Sequence, residues 1–112
     1  MTSDWNSTGI SLKFIQELQN FCSSNNLVYK VVLFGSRARG DHRKTSDIDL
    51  AIFTNNASHT QQNIILQTIN EMSTPLKMDV LFVDRLTKEK LIFNILNDGV
   101  LIYEKGEAIR EA

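Results

Sequence analysis

Residues 33–53, LFGSRARGDHRKTSDIDLAIF, contain the pattern that decides the fold of this chain. A short apolar run turns at Gly35-Ser36, passes through a basic loop and returns as alternating polar and apolar residues from Asp47 onward. Such alternation predicts a half-buried strand, in which residues two apart project from the same face about 6.6 Å apart. Asp47 and Asp49 are therefore predicted to share a polar face, and the aliphatic residues beside them the face that packs on the core.

The turn at Gly35-Ser36 has the composition of an anion site. Gly35 allows close approach to the backbone, Ser36 offers a hydroxyl, and a helix beginning near Ala38 would leave free N–H groups at its start. Four cations follow, offset only by Asp41: Arg37, Arg39, Arg43 and Lys44. A basic loop alone favours a solvated surface, but this one precedes two carboxylates on one strand face, which favours a polyphosphate site.

Two carboxylates on one strand face suit Mg²⁺, which prefers oxygen ligands and fills its remaining positions with water and substrate phosphates. A third carboxylate, Asp79, lies in an apolar run over 76–83 that predicts a neighbouring strand. A carboxylate there needs compensation, and a nearby cation would favour its ionised form. We expect Asp79 to join Asp47 and Asp49 around one or two ions. The alternative is a strand-edge carboxylate in solvent.

Two other motifs overlap the basic loop, and neither fits. Gly35-x4-Gly40 begins like a P-loop, but Asp41-His42 stands where lysine and a hydroxyl residue would contact phosphate and Mg²⁺. Arg37-x4-His42 matches the short Arg-x4-His pattern of helical ribonucleases, yet it spans a glycine-containing turn. We interpret both matches as coincidence.

The order glycine, serine, ten residues, Asp-x-Asp and a later aspartate resembles the minimal nucleotidyltransferases of the DNA polymerase β superfamily. It falls on Gly35, Ser36, Asp47, Asp49 and Asp79, within residues 27–104, which follow the order of the family's elements. The resemblance implies an α/β (α+β) nucleotidyltransferase fold, with a mixed sheet of about four strands flanked by helices. The length of the chain predicts a single domain over residues 1–112.

The resemblance also implies roles for individual residues. Gly35 and Ser36 would hold the nucleotide phosphates, with Arg37 and Arg39 as further nucleotide-binding residues whose contacts vary among family members. The three aspartates would be catalytic and would bind Mg²⁺. Asp79 would in addition activate the acceptor hydroxyl.

Family members of this size resemble the antitoxin of a toxin–antitoxin pair. Such an enzyme transfers AMP from ATP to a tyrosine of a helical HEPN ribonuclease, which implies a hetero-oligomer with the toxin. A second hypothesis is transfer to a small hydroxylated molecule, such as an aminoglycoside, with a second subunit completing the acceptor site. A third is a non-catalytic module that masks a toxin by binding.

Composition limits these readings. The chain has 112 residues and a net charge of −1, so it lacks the overall basic charge expected of a nucleic-acid binder. Its apolar runs are shorter than the ~20 residues needed to span a membrane. One cysteine, Cys22, excludes an internal disulfide and suits a reducing compartment, so we expect a cytoplasmic protein. Two histidines and one cysteine make no zinc pattern.

Hydrophobic periodicity predicts alternating helices and strands between residues 11 and 104, the expected core of the domain. The predicted helices span 11–24, 59–72 and 87–97, and the predicted strands span 28–34, 47–54, 76–83 and 100–103. Gly99 is expected to end the last helix. Residues 1–9 and 105–112 are expected to be frayed or to face a partner.

Overall fold

The computed structural model describes residues 5–105, the side chains of residues 5 and 6 excepted. Helices and strands alternate along this part of the chain. The helices are a 3-10 helix at Trp5–Thr8, α1 at Leu12–Ser24, α2 at Ser36–Arg39, α3 at His59–Asn70, a 3-10 helix at Val83–Arg85, and α4 at Glu89–Asp98. The strands are β1 at Val28–Phe34, β2 at Ile48–Thr54, β3 at Met78–Phe82 and β4 at Val100–Glu104.

The four strands form one mixed sheet in the order β3-β2-β1-β4. The central strand β1 is antiparallel to both β2 and β4, whereas β2 and β3 are parallel. The parallel pair requires a crossover, which α3 supplies. The predicted mixed sheet of four strands flanked by helices is confirmed.

The two faces of the sheet are covered differently. One face packs on α1 and α3 and forms the larger core, whose fully buried members include Phe14, Leu18, Leu33, Leu50, Ile65 and Ile69. The other face carries a smaller cluster, in which Val32, Ala51 and Phe53 pack with Ile95 of α4. The second face continues beyond this cluster to Asp49, because residues 49, 51 and 53 alternate onto the same side of β2.

Side-chain caps explain where two of the helices begin. Ser11 precedes α1 and accepts a hydrogen bond from the Phe14 amide. Ser58 precedes α3 and forms a capping box with Gln61, in which each side chain bonds the other residue's amide. No helix among residues 5–105 is long and apolar enough to cross a membrane.

Several boundaries differ from those predicted. β2 begins at Ile48, so Asp47 lies just before the strand, and β3 begins at Met78 rather than at residue 76. Thr8 was expected in a frayed start but is only 3% exposed, because the chain there packs against the buried side chain of Arg37. The expectations for residues 1–4 and 106–112 concern positions outside the described residues.

Gly99 ends α4, as predicted, but through close packing rather than a left-handed backbone. Its φ is −75°, and its amide donates to the Ile95 carbonyl. A Cβ at this position would overlap the Val32 side chain and the Ile95 carbonyl oxygen. The helix can therefore turn directly into β4 only if this residue has no side chain.

We expect Gly99→Ala to lower the free energy of unfolding by about 1–3 kcal/mol, because the added methyl group must displace packed atoms. Urea denaturation monitored by circular dichroism measures the change. Asn97→Ala, at an exposed position of the same helix, is the control and is expected to stay within about 0.5 kcal/mol of wild type. Equal stability of the two variants would contradict the packing role of Gly99.

Candidate active site

The neighbouring strands β2 and β3 bring the predicted aspartates to one end of the sheet. Asp49 of β2 pairs with Phe34, the last residue of β1, on one side and with Asp79 of β3 on the other. Directly paired residues point to the same face, so the Asp49 and Asp79 side chains lie side by side. Asp47 precedes β2 by one residue and is exposed, as is Asp79, whereas Asp49 is half-buried.

The electrostatics of Asp49 reflect these neighbours. Burial raises the pKa of the Asp49 carboxyl, the negative charges of Asp79 and Asp47 raise it further, and the Arg39 charge lowers it. The carboxylate is therefore in a site with uncompensated negative charge. A divalent cation bound here would relieve that repulsion.

The donor set fits Mg²⁺. Among the described side chains, no three histidines, cysteines or acidic residues form a metal cluster by themselves. Magnesium commonly uses one or two carboxylates and completes its octahedron with water and substrate phosphates. Asp49 with Asp47 or Asp79 can supply such a partial set of hard oxygen ligands.

The Gly35 turn lies directly against the Asp49 carboxylate. Gly35 has φ 76° and ψ −156°, a conformation that residues with a side chain rarely adopt. A Cβ at this position would overlap Asp49 Oδ2. Glycine is thus required both by the backbone conformation and by the space left beside the carboxylate.

Ser36 begins the short helix α2. The Gly35 carbonyl accepts from the amides of Ala38 and Arg39, both at 3.1 Å, and the Ser36 carbonyl accepts from the amide of Gly40 at 2.9 Å. Gly40 then leaves the helix in the left-handed conformation, with φ 88°. These bonds hold Ser36 next to the turn that contacts Asp49, where the sequence predicts phosphate binding.

Arg39 lies on the exposed side of α2. Its Nε donates to Asp41 Oδ2 at 3.3 Å, and both side chains are more than half exposed. The same guanidinium lowers the pKa of Asp49 through its charge. Arg39 is therefore close enough to influence the carboxylate site and free enough to move toward a bound anion.

Arg37 has a different environment from the one expected of a nucleotide ligand. Its side chain is only 2% exposed, and its guanidinium donates to the backbone carbonyls of Thr8, Arg43, Lys44 and Ser46. This geometry favours a structural role for Arg37 over the phosphate contact that the sequence predicts.

Sequence reasoning missed the residues that surround Arg37. Ser46 Oγ accepts from the Arg43 amide at 2.8 Å, and the Ser46 amide donates to the Arg43 carbonyl at 3.1 Å, which closes a turn before Asp47. The polar run before the Asp-x-Asp pattern is a weak signal for this turn. The Thr8 carbonyl carries no such signal, because every residue has a carbonyl and only the tertiary fold brings this one to Arg37.

Comparison with known proteins identifies the family. Residues 16–108 match the model of the family described as polymerase beta, nucleotidyltransferase, so the chain belongs to that family and is a nucleotidyltransferase. The resemblance noted in the sequence is confirmed at this level. A search of the curated proteins finds no match.

Two solved structures share the fold. A proposed nucleotidyltransferase from Sulfolobus solfataricus is 24% identical with a TM-score of 0.59, over 95% of this chain and 93% of that chain. A toxin–antitoxin structure with AMP-PNP, 16% identical, has a TM-score of 0.65 over 91% of this chain and 80% of that one. These likenesses support the fold assignment.

Asp49→Asn is expected to stabilise the metal-free protein at pH 7. The folded protein holds the Asp49 proton more tightly than the unfolded chain does, so ionisation of this carboxyl costs stability as the pH rises above its unfolded pKa. Thermal denaturation in a chelator should show a higher Tm for Asp49→Asn at pH 7 and a smaller difference toward acid pH. Asp98→Asn, at an exposed helix end, is the control. A lower Tm for Asp49→Asn at neutral pH would contradict the raised pKa of Asp49.

Proposed function

We propose that this nucleotidyltransferase moves AMP from ATP to a hydroxyl of a partner protein and releases pyrophosphate. The observation that carries the proposal is the placement of Asp49 between the Gly35-Ser36 turn and Asp79. This arrangement puts the expected phosphate-binding turn and the expected metal ligands within one site. The proposal treats residues 1–112 as one catalytic domain with a core over 11–104.

In the proposed reaction, the acceptor hydroxyl oxygen attacks the α-phosphorus of ATP. The new P–O bond forms as the bond to the oxygen bridging the α- and β-phosphates breaks, and pyrophosphate leaves with that oxygen. Mg²⁺ held by Asp47, Asp49 and Asp79 would neutralise charge on the α-phosphate and on the leaving group. Ser36 and the adjoining backbone would bind the polyphosphate and orient it for in-line attack.

Asp79 is the proposed base. It is exposed at the start of β3 and lies beside Asp49, so an acceptor can reach it from solvent. Its carboxylate would accept the hydroxyl proton or orient the hydroxyl toward phosphorus. Asp47, exposed one residue before β2, would be a ligand of the metal ion, which would in turn bind the nucleotide phosphates.

Exposed side chains support a protein acceptor. Asp47 and Asp79 are exposed, and α4, which packs on the same face of the sheet as Asp49, exposes the apolar side chains of Phe93 (64%) and Leu96 (50%). The likeness to a toxin–antitoxin structure with AMP-PNP agrees with a toxin as the partner. We propose a HEPN-type helical toxin, modified on a tyrosine within a hetero-oligomer in the cytoplasm, with this chain as the antitoxin.

The test is to express the chain with its neighbouring gene product and to incubate the complex with Mg²⁺ and α-labelled ATP. Label is expected on a tyrosine of the partner, and Asp47→Asn is expected to lower labelling roughly 100-fold or more while leaving the fold intact. Label on an added aminoglycoside instead would indicate a small-molecule acceptor. If Asp47→Asn still neutralised the toxin in cells, binding alone would suffice and the enzymatic proposal would fail.

A glycine pair offers a second test of the site. Gly35→Ala should lower transfer on the order of 100-fold, because its methyl group would displace the Asp49 carboxylate. Gly40→Ala is the matched control, since Gly40 also has a positive φ but nothing within 4 Å of an added Cβ. Rates per folded molecule, measured with the same labelled ATP, distinguish the two. Equal losses would show that backbone strain alone accounts for the effect.

A further inference from the structure

Arg37 connects the two halves of the proposed site through the backbone. It directly follows Ser36, the proposed phosphate-binding residue, and its guanidinium bonds the carbonyl of Ser46, which directly precedes Asp47. The loop between α2 and β2 separates these halves along the chain. The buried Arg37 side chain bonds the backbone carbonyls of this loop.

The contacts of the guanidinium are distributed on two sides. On the loop side, Nε and Nη2 both donate to the Ser46 carbonyl, at 3.1 and 3.0 Å, and Nη2 lies 3.3 and 3.2 Å from the Arg43 and Lys44 carbonyls. On the other side, Nη1 donates to the Thr8 carbonyl at 2.8 Å. The planar guanidinium directs donors to both sides at once. The compact ammonium group of a lysine cannot reach both sides.

The segment before α1 closes over this guanidinium. Gly9 has φ 71°, and a Cβ there would lie 2.6 Å from Arg37 Nη1 and 3.0 Å from His42 Nε2. Gly9, three residues before α1, therefore leaves room for the arginine because it has no side chain. The hydrogen bonds of the Arg37 guanidinium to Thr8, Arg43, Lys44 and Ser46 all end on carbonyl oxygens, so backbone dipoles compensate its charge.

We propose that Arg37 is a positioning residue, which sets the place of Asp47 relative to Ser36 and thereby prepares the metal site for the nucleotide. The inference rests on the proposed function, because it gives Asp47 and Ser36 the roles stated there. Asp47 is exposed and lies just outside β2. The chain after Asp47 is held by the sheet, because the Ile48 amide donates to the Lys77 carbonyl at 2.8 Å. The chain before Asp47 is held by the Arg37 bonds to the Ser46 carbonyl.

Four variants test this role. Arg37→Gln removes the charge and the fork, Arg37→Lys keeps the charge but loses the fork, and Gly9→Ala keeps the arginine while crowding its Nη1. Gln62→Ala is the control for lost stability. Gln62 is a buried polar residue that bonds Thr54 and Arg85 at the opposite end of the sheet.

The first measurement needs no activity. Amide hydrogen exchange in the metal-free protein should be faster over residues 43–47 in Arg37→Gln and Arg37→Lys, while the amides of β1 and β2 stay protected. Mn²⁺ titration, followed by electron paramagnetic resonance, should show roughly 10- to 100-fold weaker binding, as is typical when a residue that orients a metal ligand is lost. Gly9→Ala should shift both readouts in the same direction, and Gln62→Ala should shift neither.

The second measurement is the Mg²⁺ dependence of transfer to the partner. Both Arg37 variants should lower kcat on the order of 100-fold at low Mg²⁺, with partial recovery at high Mg²⁺. An unchanged metal affinity and an unchanged exchange rate over residues 43–47 would overturn the inference. Near-normal kcat in Arg37→Lys with a raised KM for ATP would also overturn it, because that result indicates direct phosphate binding.

The two proposals can fail separately. If wild type transfers no AMP but the Arg37 variants still lose Mn²⁺ affinity, the proposed function fails and the positioning role stands. If wild type is active and the variants bind Mn²⁺ as it does, the positioning role fails and the proposed function stands.

Discussion

The contact between the Gly35 backbone and the Asp49 carboxylate is the constraint on which the proposed site depends. It requires β1 to end where β2 begins, which the antiparallel pairing of Phe34 with Asp49 provides. It also requires a residue with no side chain and a positive φ at the turn. The parallel pairing of β2 with β3 then adds Asp79 from the other side. Sheet register thus assembles a site from residues far apart in sequence.

This assembly has an electrostatic cost. Three carboxylates lie near one another at one sheet end, and burial together with the charges of Asp79 and Asp47 raises the pKa of Asp49 in the folded protein. The larger core lies on the opposite face and is formed with α1 and α3. It can offset that cost because it buries apolar side chains from all four strands. The larger core therefore lies on one face of the sheet. The other face, which has the smaller cluster with α4, carries the Asp49 carboxylate, whose repulsion metal binding would relieve.

The arginines of the basic loop show where sequence reasoning reached its limit. Arg37 and Arg39 are two residues apart and chemically identical, yet one is 2% exposed and bonded to carbonyls, and the other is exposed beside Asp41. Their difference arises because residues two apart in a helix lie about 200° apart around its axis, so α2 directs one side chain inward toward Thr8 and the other outward. Composition and spacing do not show which of the two arginine side chains points inward. Composition and spacing also do not indicate Thr8, because Arg37 bonds its backbone carbonyl oxygen.

The sequence by itself determined where the main helices and strands follow one another along the chain. It also determined the glycine-serine turn and the candidate carboxylates, because periodicity and turn chemistry are local properties. The spacing between the glycine-serine turn and the aspartates also indicated the family. Only the tertiary structure decided that Arg37 faces the interior, that Gly99 is required for packing against Val32, and that burial and neighbouring charges raise the pKa of Asp49. These outcomes depend on which atoms meet after the sheet has formed, and long-range contact is not encoded in the spacing of neighbouring residues.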